Sequence, residues 1–134
     1  MGRLRYDVIV VSFITFSLRY MKIYGYTADT MNYSANQVTI QAGASAAKAG
    51  SNDACSTLRV DKDNFSMYNV NVKNTFGKGS QALALSQYGS RVGFYACGFY
   101  GYQDTLMANQ GTQVYLKGYI QVRKNVYLQF RAFC

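Results

Sequence analysis

The sequence predicts an all-β chain wound as a parallel β-helix, and three observations carry that prediction. Composition is the first: 13 tyrosines, 8 phenylalanines and many valines and threonines, with no proline, suit pleated, half-buried surfaces. The second is the recurrence of short β-rich runs between clusters of turn-forming residues, with no long amphipathic helical pattern among them. Internal repetition is the third. Met67-Tyr68-Asn69-Val70-Asn71-Val72, Phe94-Tyr95-Ala96-Cys97-Gly98-Phe99 and Val114-Tyr115-Leu116-Lys117-Gly118-Tyr119-Ile120 each place a tyrosine after an apolar residue. Ala82–Leu85 and Thr105–Ala108 supply a second position that recurs in the same way. Recurrence at a spacing of roughly 20–45 residues signals stacked coils, each burying its neighbour. A β-sandwich would instead favour Asn-Gly or Asp-Gly hairpins, and neither dipeptide occurs.

Along the chain, residues 1–21 stand apart from the repeating body at 22–120 and from a divergent basic tail at 121–134. Val8 to Leu18 is an apolar run flanked by Arg3, Arg5 and Arg19. It is too short to cross a bilayer, so stable membrane insertion is not expected. A basic start before such a run resembles a secretory signal, yet no small-x-small cleavage site follows and Asp7 is out of character there; a buried strand or a miscalled first exon is an equal reading. In the body, strands are expected at Lys22–Tyr24, Val38–Ile40, Thr57–Val60, Ser66–Val72, Ala82–Leu85, Val92–Phe99 and Gln113–Ile120. Ala42 to Ala54, rich in Ala, Gly, Ser and Asn, reads as a loop or short helical excursion. Asn69, Asn71 and Asn74 suit turn positions or stacked ladders.

Composition also narrows the chemistry. The chain has no histidine, and its six acidic residues, Asp7, Asp29, Asp53, Asp61, Asp63 and Asp104, are all aspartate. Ser-His-Asp and Cys-His catalysis, histidine metal sites and glutamate acid/base chemistry are thereby excluded within one chain. The first five aspartates lie among turn-like or polar residues and read as solvated; Asp104 is the exception. Cys55, Cys97 and Cys134 lack a zinc spacing, and their odd number allows one disulfide with one orphan. Cys97, inside an apolar run, reads as a buried small hydrophobe. The net charge of +8 dilutes to +3 between Lys22 and Ile120, where eight Lys/Arg face five Asp. No basic run accompanies it, so nucleic acid is not expected as a partner.

Two runs carry the candidate chemistry: Gln81-Ala82-Leu83-Ala84-Leu85 and Gly101-Tyr102-Gln103-Asp104-Thr105-Leu106, about one coil apart. Stacking would bring Gln81 close to Gln103 and Asp104. Amide N–H groups can stabilise a developing oxyanion, and a carboxylic acid can protonate a departing alkoxide. The competing reading is structural, with both glutamines in a ladder and Asp104 capping a turn.

Gly-Tyr-Gln-Asp-Thr-Leu after Phe-Tyr-x-Cys-x-Phe, with Gln-Ala-Leu-Ala-Leu upstream, resembles the signature of pectin methylesterases. The resemblance spans about residues 22–120, including Ile23–Thr30, Asn36–Ile40, Ala54–Arg59 and Gln113–Tyr115, and is nearest the fungal branch. It implies a right-handed parallel β-helix, secreted, that removes methyl groups from galacturonate esters of pectin with no metal or organic cofactor. It further implies Asp104 as general acid and then base, with Gln81 and Gln103 in the oxyanion hole. Tyr102 would stack on a sugar ring if the groove is kept. The family places its nucleophilic aspartate shortly after the strand matching Tyr119-Ile120. Here that stretch reads Gln121-Val122-Arg123-Lys124-Asn125-Val126-Tyr127, with no acidic residue through Cys134. The opening Gly-x-Tyr-x-Glu and the downstream arginine motifs are also missing. The expectation is an incomplete β-helix, inactive as written, or else a pectin-binding module without catalysis.

Overall fold

Three parallel sheets, each receiving one strand per turn of the chain, organise the structure, a computed structural model that describes residues 6–8 and 19–124. The strands are β1 (Tyr6–Val8), β2 (Met21–Tyr24), β3 (Val38–Ala42), β4 (Leu58–Val60), β5 (Phe65–Tyr68), β6 (Val70–Asn74), β7 (Leu85–Gln87), β8 (Val92–Tyr95), β9 (Gly98–Tyr100), β10 (Leu106–Ala108), β11 (Gln113–Leu116) and β12 (Tyr119–Gln121). They assemble in the orders β1-β3-β6-β9-β12, β11-β8-β5-β2 and β10-β7-β4. Every named pair is parallel. Chain order therefore visits the sheets in rotation, which is a parallel β-helix. The apolar run at 8–18 and the tail from 125 lie outside the described residues, apart from Val8 at the end of β1.

Alternation along the strands builds the core, since successive side chains point to opposite faces. Phe65 and Met67 on β5, and Val70 and Val72 on β6, are buried, while Ser66, Tyr68 and Asn71 are only partly so and Lys73 is exposed. Because adjacent coils pair in register, inward residues stack through the molecule. Leu58, Leu85 and Leu106 form one column, and Ile40, Val72, Phe99 and Ile120 another. Outward, Tyr24, Tyr68 and Tyr95 lie one above the next, with ring centroids 4.7 Å apart at both steps.

Two details of the expected repeat are corrected. Tyr115 does not continue the Tyr68–Tyr95 ladder: it pairs with Phe94, and Leu116 pairs with Tyr95. Its ring turns inward, stacked on Phe94 at 5.0 Å, and burial pushes its hydroxyl pKa up. The second repeat is also offset, because Leu106 lies over Leu85 and not over Leu83. Each long expected strand is moreover two strands meeting at a corner, one residue long between β5 and β6 and two residues long between β8 and β9 and between β11 and β12. Asn69, Ala96 and Lys117 occupy these corners with φ of 55°, 49° and 53°. The Asn69 N–H donates to Tyr95 O and the Ala96 N–H to Leu116 O, so one corner seats the next.

The break at 42–54 contains the short helix α1 (Ala46–Ala49) and a 3-10 turn at Asp53–Cys55. Asn74 fastens it: its Nδ2 donates to Ala44 O, Cys55 O and Leu83 O at 2.9–3.1 Å, and its Oδ1 accepts from Phe76 N. Asn69 is bonded through Nδ2 to Thr30 O and Asn36, and Asn71 accepts from Asn36 Nδ2. The asparagines thus fill the turn and ladder positions expected of them.

Candidate active site

Asp104 lies in the bend between β9 and β10, and both neighbouring coils hold that bend in place. Below it, Ala82 N–H donates to Gln103 O, and Ala84 and Leu85 N–H donate to Thr105 O. Above it, Arg123 and Lys124 N–H donate to Tyr102 O, and Thr105 Oγ1 donates to Gln121 O at 2.8 Å. Gly101 is required by this packing, since a Cβ there would stand 2.5 Å from Thr105 Oγ1. Sequence reasoning missed Gly101 and Thr105 as support for the bend; their place inside the Gly-Tyr-Gln-Asp-Thr-Leu run was the available signal.

Within the bend Asp104 adopts φ +55°, a left-handed conformation that aspartate tolerates better than most residues. Its residue surface is 8% exposed, and Oδ1 is buried without a hydrogen-bond partner. A buried polar atom left unpaired is costly and uncommon. Burial pushes the carboxyl pKa up, and the Gln81 side chain partly offsets that rise, although it stops short of a hydrogen bond to Oδ1. Gln81 is half-buried on the coil below, its own carbonyl held by Ala46 N–H. Gln103 is half-buried beside Asp104 and forms a parallel bridge with Lys124. Tyr102 is half-buried too, with Lys78 Nζ 6.0 Å from its ring centroid.

The remaining described aspartates are engaged structurally. Asp29 Oδ1 accepts from Met31 N. Asp53 is bonded by Ser86 Oγ and Arg59, Asp61 pairs with Arg59, and Asp63 pairs with Arg91. Cys55 lies close enough to Asp104 and Asp53 for both charges to raise its pKa, behind the larger effect of burial. No sequence signal placed it there. Burial likewise raises the pKa of Cys97, whose Sγ donates to Met67 O and Tyr95 O. Both thiols are free; Cys134 is outside the described residues.

A hollow of about 250 Å³ opens beside the last described coil, between the core residues Phe94 and Phe99 and the exposed Tyr119 and Ile120, and includes none of Gln81, Gln103 or Asp104. Among the described residues no group of three or more His, Cys, Asp or Glu gathers to hold a metal, and no helix is long and apolar enough to cross a membrane.

Comparison with known proteins bears on the same stretch. The sequence profile of the pectinesterase family, described as Pectinesterase, matches residues 27–125. Probable pectinesterase A of Neosartorya fischeri and pectinesterase A of Emericella nidulans are each 50% identical over 101 residues, 75% of this chain and 31% of the relative. The chain thus spans about a third of the length of the curated relatives it matches. The crystal structure of the pectin methylesterase from Aspergillus niger superposes with a TM-score of 0.76 at 47% identity, covering 77% of this chain and 34% of that one. Pectin methylesterase from carrot, 20% identical with a TM-score of 0.64 over 80% of this chain and 38% of its own, shares the fold. The chain belongs to the pectinesterase family, on its fungal side.

Proposed function

We propose that this chain carries the proton-transfer and oxyanion-binding half of a site that hydrolyses methyl esters of galacturonate in pectin. The observation that carries the reading is Asp104: a carboxyl held in a left-handed bend, buried, unpartnered at Oδ1 and raised in pKa. Such a group stays protonated to higher pH than a solvated aspartate, as a general acid must. In this reading Asp104 protonates the departing methoxide as methanol. The side-chain N–H groups of Gln81 and Gln103 donate to the oxygen that gains negative charge as the carbonyl is attacked. Tyr102 offers an aromatic face to a sugar ring, and Lys78 beside it suits a polymer whose free acid groups are anionic. Pectin lies outside the cell, so secretion is part of the proposal.

The attacking group is what the chain lacks. β12 is followed by Val122, Arg123 and Lys124, and no acidic residue occurs after Asp104. Without a carboxylate nucleophile, acid and oxyanion donors assist only direct attack by water, a much weaker route. Methanol release from highly esterified pectin by the 134-residue chain is therefore expected to stay near the blank. Release at a rate comparable with the Aspergillus niger enzyme, abolished by Asp104→Asn, would overturn this.

A second reading, a pectin-binding module without catalysis, is favoured by the half-buried Tyr102 with Lys78 over its ring. Retention on pectin that weakens with Tyr102→Ala while methanol release stays at the blank is its expected signature.

A further inference from the structure

Asparagine-linked glycosylation requires Asn-x-Ser/Thr with x other than proline. The chain has two such tripeptides, Asn32-Tyr33-Ser34 and Asn64-Phe65-Ser66, and the structure treats them in opposite ways. Asn32 is exposed and caps the 3-10 turn Tyr33–Ala35. Its Oδ1 accepts from Ser34 N–H at 3.0 Å and Ser34 Oγ at 2.8 Å. Its Nδ2, the atom a glycan would occupy, has no hydrogen-bond partner among the described residues. Asn64 is the reverse case. Its Nδ2 donates to Arg19 O at 3.2 Å and its Oδ1 accepts from Arg91 Nε at 2.6 Å, with φ at +58°. The next residue, Phe65, is 3% exposed and begins β5 in the core. A sugar on Asn64 would have to displace the Arg19 carbonyl and disturb a strand start.

A second observation concerns the surroundings of Asn32. Thr27 and Asn36 close a loop by an antiparallel bridge, reinforced by Gln37 N–H to Tyr26 O. Asn32 sits in that loop with Tyr26 and Met31, which are 72% and 59% exposed. Asn32 therefore stands on an open part of the surface beside exposed apolar side chains, where a bulky, solubilising glycan can be accommodated.

We propose that Asn32 is an N-glycosylation site occupied in the folded, secreted protein, and that Asn64 is not. The proposal rests on the secretion part of the functional reading. In the transfer, the oligosaccharide moves from a lipid-linked diphosphate donor. Asn32 Nδ2 loses one proton and forms the bond to the anomeric carbon, the bond from that carbon to the diphosphate oxygen breaks, and the lipid diphosphate leaves.

The test is to express the full chain behind a heterologous secretory leader in yeast and treat it with a peptide N-glycosidase, reading gel mobility and glycopeptide masses. The leader enforces entry to the secretory pathway, so the result is independent of where the native product resides. One glycan is expected, on the peptide containing Asn32. It is lost in Asn32→Gln and in Ser34→Ala, and retained in Ser34→Thr and Asn64→Gln. Should a variant fail to leave the cell, the same digestion on intracellular material and peptide mapping of the unmutated chain still decide. No mobility shift in the unmutated chain, or a glycan that survives Asn32→Gln, would overturn the proposal. A glycan at Asn32 together with a native product confined inside cells would keep the site and remove the secretion reading.

Discussion

Asp104 is the residue on which the functional reading turns, and its environment gives a test that does not depend on substrate. Burial raises the carboxyl pKa from its ordinary 3.8, so the folded state prefers the protonated form. By linkage, its stabilising contribution is complete below the unfolded pKa and is lost as pH rises through the folded one. Asp104→Asn keeps the shape, suits the left-handed backbone and removes the charge. It should unfold at the same denaturant concentration as the parent in acid, then become the more stable of the two as pH rises past the ordinary aspartate range. Paired denaturation curves across pH check this; a parent that gains on the variant toward neutrality would mean that the carboxylate is stabilised in the fold. In any preparation with measurable esterase activity, the same change should cost roughly 10²- to 10⁴-fold, the usual worth of a positioned acid. Asp104 was legible in the sequence because its neighbours are apolar or amide residues, whereas Asp53, Asp61 and Asp63 have arginine partners that turn-like surroundings implied only loosely. The unpaired Oδ1 and the proximity of Cys55 were not legible, since both arise from contacts between coils.

At the scale of elements, corners and side-chain clasps decide the register. Asn74 bonds three carbonyls from three segments, joining the 42–54 excursion and Cys55 just after it to the end of β6 and to the coil above. Asn74→Ala leaves the buried Cys55 O and the part-buried Ala44 O without this donor, while Leu83 O keeps the Thr57 N–H; a buried carbonyl left unpaired costs about 1–3 kcal/mol. Urea unfolding should show a loss of about 2–4 kcal/mol; a loss below about 0.5 kcal/mol, the range of an ordinary surface substitution, would mean that water substitutes freely. The runs Ser66–Val72, Val92–Phe99 and Gln113–Ile120 were recognisable as β-rich, but not as pairs of strands. The residues at their corners, Asn69, Ala96 and Lys117, share a left-handed backbone and no common chemistry, so only the asparagine hinted at a turn. The Tyr68–Tyr95 register was visible because the two runs fall in step, Met67 beside Phe94 and Tyr68 beside Tyr95. It slipped at Tyr115 because the coil that pairs Gly93 with Val114 and Tyr95 with Leu116 is one residue longer than the spacing from Tyr95 to Tyr115.

For the whole molecule, the core is a set of columns and not a sphere, so a single large residue supports several coils at once. Phe94 contacts Phe65, Phe99 and Tyr115 with centroids 5.0–6.0 Å apart, linking three consecutive turns. Phe94→Ala should cost about 3–5 kcal/mol, a large share of the stability of a chain this size. A single cooperative transition at much lower denaturant is the expected outcome. Two separated transitions would show that the coils on either side unfold independently. The fold class was readable from composition and repetition, while the handing of each strand to a particular sheet depended on loop lengths that no local pattern announces.

The outward tyrosine ladder carries an optical consequence. The chain has no tryptophan, so its near-ultraviolet emission comes from phenol rings alone. Tyr24, Tyr68 and Tyr95, held 4.7 Å apart with their rings nearly parallel, are close enough to exchange excitation before emitting. Light absorbed by one ring is therefore passed along the ladder, which behaves as one emitter and not as three separate phenols.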